Sequence, residues 1–250
     1  LSESRARVEH LVQAIHPAIE RPKIATEVED YLIFSIESCA PIQGAALWAS
    51  REEALASILR GERTPLSDQE IRDALSCRIS FGLEDAALID WHAAVLFGKE
   101  MDDVRAVLEF ANVELLEMRM LDEQLDQALD QGYEALTRTP RLLSLPGSYD
   151  KHTTHIAQLQ VDGALLFERV TNTLKLLGDQ YLARVYRLVS QRFHLEDWDA
   201  SILRKLETLE SIYGKMSDRA GTRRMELLEW IIIVLITISI AVSFIPWASH

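Results

Sequence analysis

The alternation of hydrophobic and polar positions changes period along the chain, and each change marks an element. Val8, Leu11, Val12, Ile15 and Ile19 recur at helical spacing, with Pro17 and Pro22 limiting how far the helix can extend, which predicts a short amphipathic helix within residues 1–23. The run Tyr31–Ser38 is apolar, β-branched and aromatic, is bounded by Glu29, Asp30 and Pro41, and predicts a buried strand. Ser50-Arg-Glu-Glu53 and Ser67-Asp-Gln-Glu70 both have the S-x-x-E form of a capping box, in which hydroxyl and carboxylate satisfy orphan N–H groups at a helix start. Two short helices are expected to begin there. Arg78–Phe81, Ala87–Asp90 and Ala94–Phe97 alternate or run apolar between Gly82 and Gly98, predicting two or three more strands. Residues 24–100 thus read as a small α/β layer domain.

Beyond Gly98 the period becomes helical and stays so. From Asp102 to Leu136 there is neither proline nor turn cluster, and Val104, Leu108, Ala111, Leu115, Met118, Leu125 and Leu129 step by threes and fours. Asp122 takes the one heptad slot that breaks this stripe, and a polar residue in a seam can fix register or partner number, although Leu121 beside it can take over the contact. The stretch Thr139–Asp150, with Pro140, Pro146 and Gly147, is long enough to reverse direction. A second long helix is expected from Ile156 through Leu159, Gly163, Leu166, Val170, Leu174, Leu177, Tyr181 and Val185 to Leu188, ending near the polar turn His194–Asp199. In a third, Ile202, Leu206, Leu209, Tyr213, Met216, Ala220, Arg223, Leu227 and Trp230 alternate steps of four and three. Gly221 is the expected hinge. Residues 101–224 are read as a bundle or coiled coil of long antiparallel helices, with Ile202, Leu206, Leu209, Tyr213, Met216, Ala220 and Leu227 as an oligomer seam.

The last stretch is apolar on every side. Trp230–Trp247 holds eighteen residues without a charge, about 27 Å as a helix, which predicts a single C-terminal transmembrane anchor over 225–247 with a tail of 248–250. Arg223, Arg224, Glu226 and Glu229, with Trp230 and Trp247, would form a collar at the membrane interface. The hydroxyls of Thr237, Ser239 and Ser243 can bond back to the preceding turn. The arginines before the span place the N-terminal bulk in the cytoplasm, at a bacterial or a mitochondrial inner membrane, with lipid as a partner. The opening LSESRARVEH carries Glu3 and Glu9, which argues against a signal or transit peptide.

Composition narrows the function classes. The chain of 250 residues has 26 Lys+Arg against 39 Asp+Glu, a net charge of -13, and so lacks the basic field that attracts phosphate backbones; direct nucleic-acid binding is not expected. Cys39 and Cys77 lack the spacing of a disulfide framework or a zinc site and read as reduced, buried thiols. The glycines make no dinucleotide fingerprint, phosphate loop or nucleophile elbow. His152-x-x-His155 lacks the carboxylates of a metal site. Asp90 and His92 flank Trp91, on a predicted strand and its end, and read as core and turn packing. Glu109, Asn112, Glu114 and Glu117 crowd the 102–136 helix and read as the solvated face of a seam. No nucleophile and base stand together, so no enzyme activity, cofactor or metal is expected.

The run Ala164–Ile240 resembles the family named for being required for meiotic nuclear division, in Leu166-Phe-Glu168, Leu177-Gly-Asp179, Tyr181-Leu-Ala-Arg184, Trp198 and Leu228-Glu-Trp-Ile-Ile-Ile233. The resemblance implies an α/β domain followed by long helices and a C-terminal anchor, oligomeric assembly, and in mitochondria an inner-membrane role supporting translation. It carries over no catalytic residue. The architecture is also similar to CorA-type cation channels, but their pore needs a Gly-Met-Asn signature and a second span, and the asparagines here are Asn112 and Asn172. The expectation is a predominantly helical α+β protein that self-associates through its long helices and holds an unidentified protein partner at a membrane as a non-enzymatic scaffold. An ion or solute conduit and a membrane-bound enzyme with its site in the α/β domain are the alternatives.

Overall fold

The structure is a computed structural model and describes residues 2–19, 24, 27–37, 44–137, 158–159, 161, 163–165 and 179–243. The chain is a predominantly helical α+β protein with a small N-terminal sheet and long helices. It divides into two compact units: Leu1–Leu116 with Asp179–Phe193, and Glu117–Gly178 with His194–His250.

The first unit begins with α1 (Ser2–Ala14) and a 3-10 turn (His16–Ala18). Val8, Leu11 and Ile15 of this segment are exposed. The strands are β1 (Leu32–Ile36), β2 (Arg78–Ile79), β3 (Ala86–Ile89) and β4 (Ala93–Phe97), in the spatial order β1-β4-β3-β2. β1 runs parallel to β4, with Leu32 opposite Ala93 and Phe34 opposite Val95. β2, β3 and β4 are antiparallel neighbours.

Between β1 and β2 lie α2 (Gly44–Arg60) and α3 (Asp68–Ala74). Leu55, Ala56 and Leu59 of α2 and Ala74 of α3 close over Ala86, Leu88, Ala93, Val95 and Phe97, every second residue of the two central strands. The intervening residues Ala87, Ile89, Ala94 and Leu96 are fully buried on the other face. A sheet covered on both faces needs strands apolar throughout, which is why β3 and β4 read as continuous apolar runs. α2 ends on Gly61, whose φ of 66° lets the N–H of Glu62 reach the carbonyl of Ser57 at 3.0 Å.

The two capping boxes fare differently. Ser67 caps α3, its hydroxyl accepting from the N–H of Glu70 at 3.3 Å. The box at Ser50 falls on a kink at Arg51 (φ -138°, ψ 25°), where a helix that had already started at Gly44 breaks and restarts. The sequence predicts a buried β1, but it is an edge strand with Leu32 and Phe34 exposed. Its apolar content is the same either way; pairing order decides burial.

α4 (Asp102–Thr137) is one helix of 36 residues whose first half belongs to the first unit and second half to the second. The expected second long helix is different in form. Residues 158–159, 161 and 163–165 are helical, but α5 (Gln180–Arg192) starts afresh at Asp179, whose carboxylate accepts from the N–H of Tyr181 at 2.6 Å. The expected polar turn at 194–199 contracts to His194, in the left-handed region at φ 51°, and α6 (Leu195–Ser243) begins at once. α6 runs 49 residues through Gly214 and Gly221 without interruption, so the glycine costs of about 1 kcal/mol each do not open a hinge.

In the second unit α6 runs in the same sense as α4, since Lys205 meets Asp122 and Ile212 meets Gly132 further along both helices. A Cβ at Gly132 would stand 3.1 Å from Ile212 Cγ2, so glycine is what permits this approach. Ile202, Leu209 and Ile212 are buried here with Leu121, Leu125, Ala128 and Leu159.

Among the described residues no helix is long and apolar enough to cross a membrane. Within the described residues the uncharged stretch of α6, from Trp230 to Ser243, is fourteen residues, about 21 Å, against a hydrocarbon core of about 30 Å. Glu229 bounds it on the N-terminal side. The expected transmembrane helix over 225–247 is therefore corrected, and with it the tail anchor and the single-pass placement at a bacterial or mitochondrial inner membrane with the N-terminal bulk in the cytoplasm.

Candidate functional site

The densest polar construction in the first unit is built on Asp90, the residue after β3. The turn that joins β3 to β4 bonds the N–H of Asp90 to the carbonyl of Ala93 at 2.9 Å and places the carboxylate where no solvent reaches it. Burying a lone carboxylate is prohibitively costly, so cations must accompany it. Two do. Arg192, the last residue of α5, donates from Nε to Asp90 Oδ1 at 2.9 Å and from Nη2 to the same oxygen. Arg60, the last residue of α2, brings its Nε to 3.1 Å from Asp90 Oδ2. That contact is an ion pair without hydrogen-bond alignment, which leaves Arg60 Nε and Asp90 Oδ2 without a hydrogen bond among the described residues. The N–H of Trp91 also donates to Oδ1 at 2.8 Å, and the Tyr31 hydroxyl donates to the Asp90 carbonyl at 2.9 Å.

Outside this buried centre stands Asp73 of α3, bonded by both arginines: Arg192 Nη2 reaches its Oδ2 at 2.9 Å, Arg60 Nη2 reaches the same oxygen, and Glu70 lies 3.4 Å from Arg60. Both arginines close helices, where the carbonyl ends of the helix dipoles also favour positive charge. The electrostatic consequences are consistent. The hydrogen bond from Arg192 holds the Asp73 carboxyl below the usual carboxylate range. Burial pulls the Arg192 guanidinium down, but its bonds to Asp73 and Asp90 outweigh this and its proton is held more tightly than in water. Burial and the Asp90 charge push the Tyr31 hydroxyl far up, so it remains a neutral donor. Asp73, Arg192 and Tyr31 are thus each held in one protonation state by their neighbours. What this arrangement does is tie the ends of α2, α3, β3 and α5 together.

A second polar contact in this unit joins Tyr186 of α5 to Glu114 of α4, hydroxyl to Oε2 at 2.7 Å and both buried, with Phe110 6.1 Å from the Tyr186 ring. Glu114, expected on a solvated face, lies in the interior instead. Glu109 pairs with Arg105, and Asn112 donates to the carbonyl of Leu108 at 2.9 Å. In the second unit Lys205 Nζ lies 2.7 Å from Asp122 and 2.6 Å from Asp126. Asp122, the polar interruption of the stripe, is thus an anchor for α6. Asp199, in the second turn of α6, has a buried Oδ1 with no hydrogen-bond partner among the described residues, and burial, with Glu196 nearby, pushes its carboxyl up to about 6.

The expected seam is divided in place. Ile202 and Leu209 lie in the interior of the second unit, Leu206 lies beside Gly163, and Tyr213 lies beside Gly132. Met216, Ala220 and Leu227 fall on the same helix further along, the side chains of the last two outside the described residues. Of the expected collar, Glu229 and Trp230 are exposed on α6, Arg223, Arg224 and Glu226 have side chains outside the described residues, and Trp247 lies outside them altogether, as do Cys39, Asn172 and the pair His152 and His155. Cys77 is half-buried and carries a free thiol. His92 is exposed, and its carbonyl accepts from the N–H of Leu32 at 3.0 Å. Among the described residues no three His, Cys, Asp or Glu side chains are grouped to hold a metal. The sequence pattern sets Asp90 only against His92 and gives no sign of Arg60, Asp73 and Arg192. Nothing in local spacing links residues 102 apart.

The family model described as "Uncharacterized protein MJ0711, N-terminal domain" matches residues 1–103. The chain is similar to the uncharacterized protein MJ0711 of Methanocaldococcus jannaschii, 23% identical over 200 residues, covering 76% of this chain and 58% of that protein. It therefore spans less than two thirds of that relative's length. No solved structure matches. The family-model match falls on the α/β region, and with the match to MJ0711 it corrects the resemblance to the meiotic-nuclear-division family. That resemblance rested on short motifs, and one such as Leu228-Glu-Trp-Ile-Ile-Ile233 is what any apolar helical stretch resembles.

Proposed function

We propose that this protein is a non-catalytic scaffold that self-associates through the C-terminal part of α6 and leaves its α/β unit free to hold a protein partner. One observation carries the reading. From Ile231 to Ile240 every large aliphatic side chain is 49–60% exposed, although the same helix buries Ile202, Leu209 and Ile212. Thr237 does not interrupt the stretch, because its hydroxyl bonds the carbonyl of Ile233 at 2.7 Å. Each half-exposed aliphatic side chain forgoes on the order of 1 kcal/mol, and copies of the same helix packed side by side recover it. The locked charges around Asp90 support a holding role over a chemical one.

The test is the mass in solution of the full chain and of its Ile232→Glu/Ile236→Glu variant, whose charges lie one helical turn apart. The expected result is a multimer for the native chain and a smaller species for the variant. An unchanged mass overturns the proposal.

A further inference from the structure

We infer that the free edge of β1 pairs antiparallel with β1 of a second copy, centred on Phe34, so that two sheets join into one. This surface is separate from α6, and the inference does not depend on the proposal above. In the parallel ladder the N–H of Leu32 bonds the carbonyl of His92 at 3.0 Å and the carbonyl of Ile36 accepts from Gly98 at 3.0 Å. Leu32, Phe34 and Ile36 therefore turn their main-chain groups toward β4. Those of Ile33 and Ser35 point the other way, and among the described residues no element pairs with that side.

Edge strands normally carry a charge, a proline or a bulge that discourages pairing. Leu-Ile-Phe-Ser-Ile carries none. Leu32 and Phe34, on the face that α2 and α3 cover at the neighbouring strands, are 60% and 41% exposed.

The occupant is set by symmetry. A two-fold axis through Phe34 sets Ile33 opposite Ser35 of the second copy, so that both outward-facing residues give and take main-chain hydrogen bonds. The same axis sets Phe34 opposite Phe34 and Leu32 opposite Ile36, an apolar row against its own image. No other strand of the described chain has an open edge of this length, β2 being two residues.

Register makes the inference testable. In a full chain carrying Cys39→Ser and Cys77→Ser, Phe34→Cys would face its own image in a non-hydrogen-bonded pair about 4.5 Å apart at Cα, within disulfide reach. Leu32→Cys would lie four residues from its image, roughly 13 Å away. Mild oxidation should cross-link the Phe34→Cys chain at least ten-fold more than the Leu32→Cys chain on a non-reducing gel. Adding Ser35→Pro, which removes an outward N–H and spares the ladder to β4, should abolish that cross-link with the circular dichroism unchanged. Equal cross-linking at both positions, or none at Phe34→Cys, overturns the inference. The Ile232→Glu/Ile236→Glu background should leave the Phe34→Cys cross-link intact, so failure at α6 and failure at β1 are told apart.

Discussion

Both units hold a helix in place with opposite charges, and the two constructions differ in how much water they exclude. Around Asp90 a carboxylate with no exposure meets two arginines, and a second carboxylate, Asp73, faces the same guanidinium groups from the solvent side. Around Lys205 a single ammonium meets Asp122 and Asp126, of which Asp126 is more than half exposed. Attraction between charges grows as water leaves, but so does the cost of leaving either partner alone. The first construction should therefore be strongly asymmetric, severe to break and modest in net value. The second, half-buried and with Asp126 open to solvent, should be milder to break.

The largest effect tests the enclosed side of this contrast. Asp90→Ala leaves Arg60 and Arg192 facing a vacated interior, and a stability loss of about 3–5 kcal/mol is expected in chemical denaturation. A loss below about 1 kcal/mol would mean that water already reaches the cluster. Lys205→Met keeps most of the aliphatic stem, so only the ion pairs go, and the expected loss is about 1 kcal/mol or less. Burial pulls the Lys205 pKa down, but its bonds to Asp122 and Asp126 win and hold it above its ordinary value. A double-mutant cycle of Lys205→Met with Asp122→Asn should show coupling of about 0.5 kcal/mol. Coupling near zero would make Asp122 a passenger in the helix.

Asp73 lies between these extremes. Its folded carboxyl is held below the ordinary range, so the stability it lends is present above its unfolded value near 4 and is lost as pH falls through the lower folded value. Because the side chain is 51% exposed, solvent screening limits this to a few tenths of a kcal/mol. Asp73→Asn should lower stability slightly at pH 7 and flatten its acid limb below pH 4. A steep acid limb in the variant would assign that limb to other carboxylates.

The two constructions also differ in how far the sequence reveals them. Asp122 announces itself by breaking a stripe of apolar residues, and the structure finds it paired to α6. The start of α3 is legible in Ser67 and Glu70, and the central strands in their runs between Gly82 and Gly98. Local spacing contains these features because the contacts are local. The Asp90 cluster joins positions 60, 73, 90 and 192, each ordinary among its neighbours, and only the closing of the sheet and the return of α5 bring them together. The exposure of β1 was hidden for a related reason: its letters describe an apolar strand, while its place in the order β1-β4-β3-β2 makes it an edge. The C-terminal stretch misled in the opposite direction: its letters are apolar on every side, yet among the described residues no helix is long and apolar enough to cross a membrane.

Asp199 supplies the control of opposite sign, because it is a partly buried carboxylate with no cation against it among the described residues. Burial, aided by Glu196, pushes its carboxyl up to about 6, the reverse of what Arg192 does to Asp73. The sign of the linkage reverses too. A raised folded value means that the folded state favours the protonated form, so the contribution of Asp199 is fully present below its unfolded value near 4 and is lost as pH rises through about 6. Asp199→Asn fixes a neutral side chain of the same shape. It should raise the melting temperature at pH 7.5 by a degree or two and leave it unchanged at pH 4, worth up to about 1 kcal/mol at the higher pH. If the variant is instead less stable at pH 7.5, the ionised carboxylate is being supported by the N-terminal dipole of α6. A helix end would then be able to stand in for the arginines that Asp90 requires.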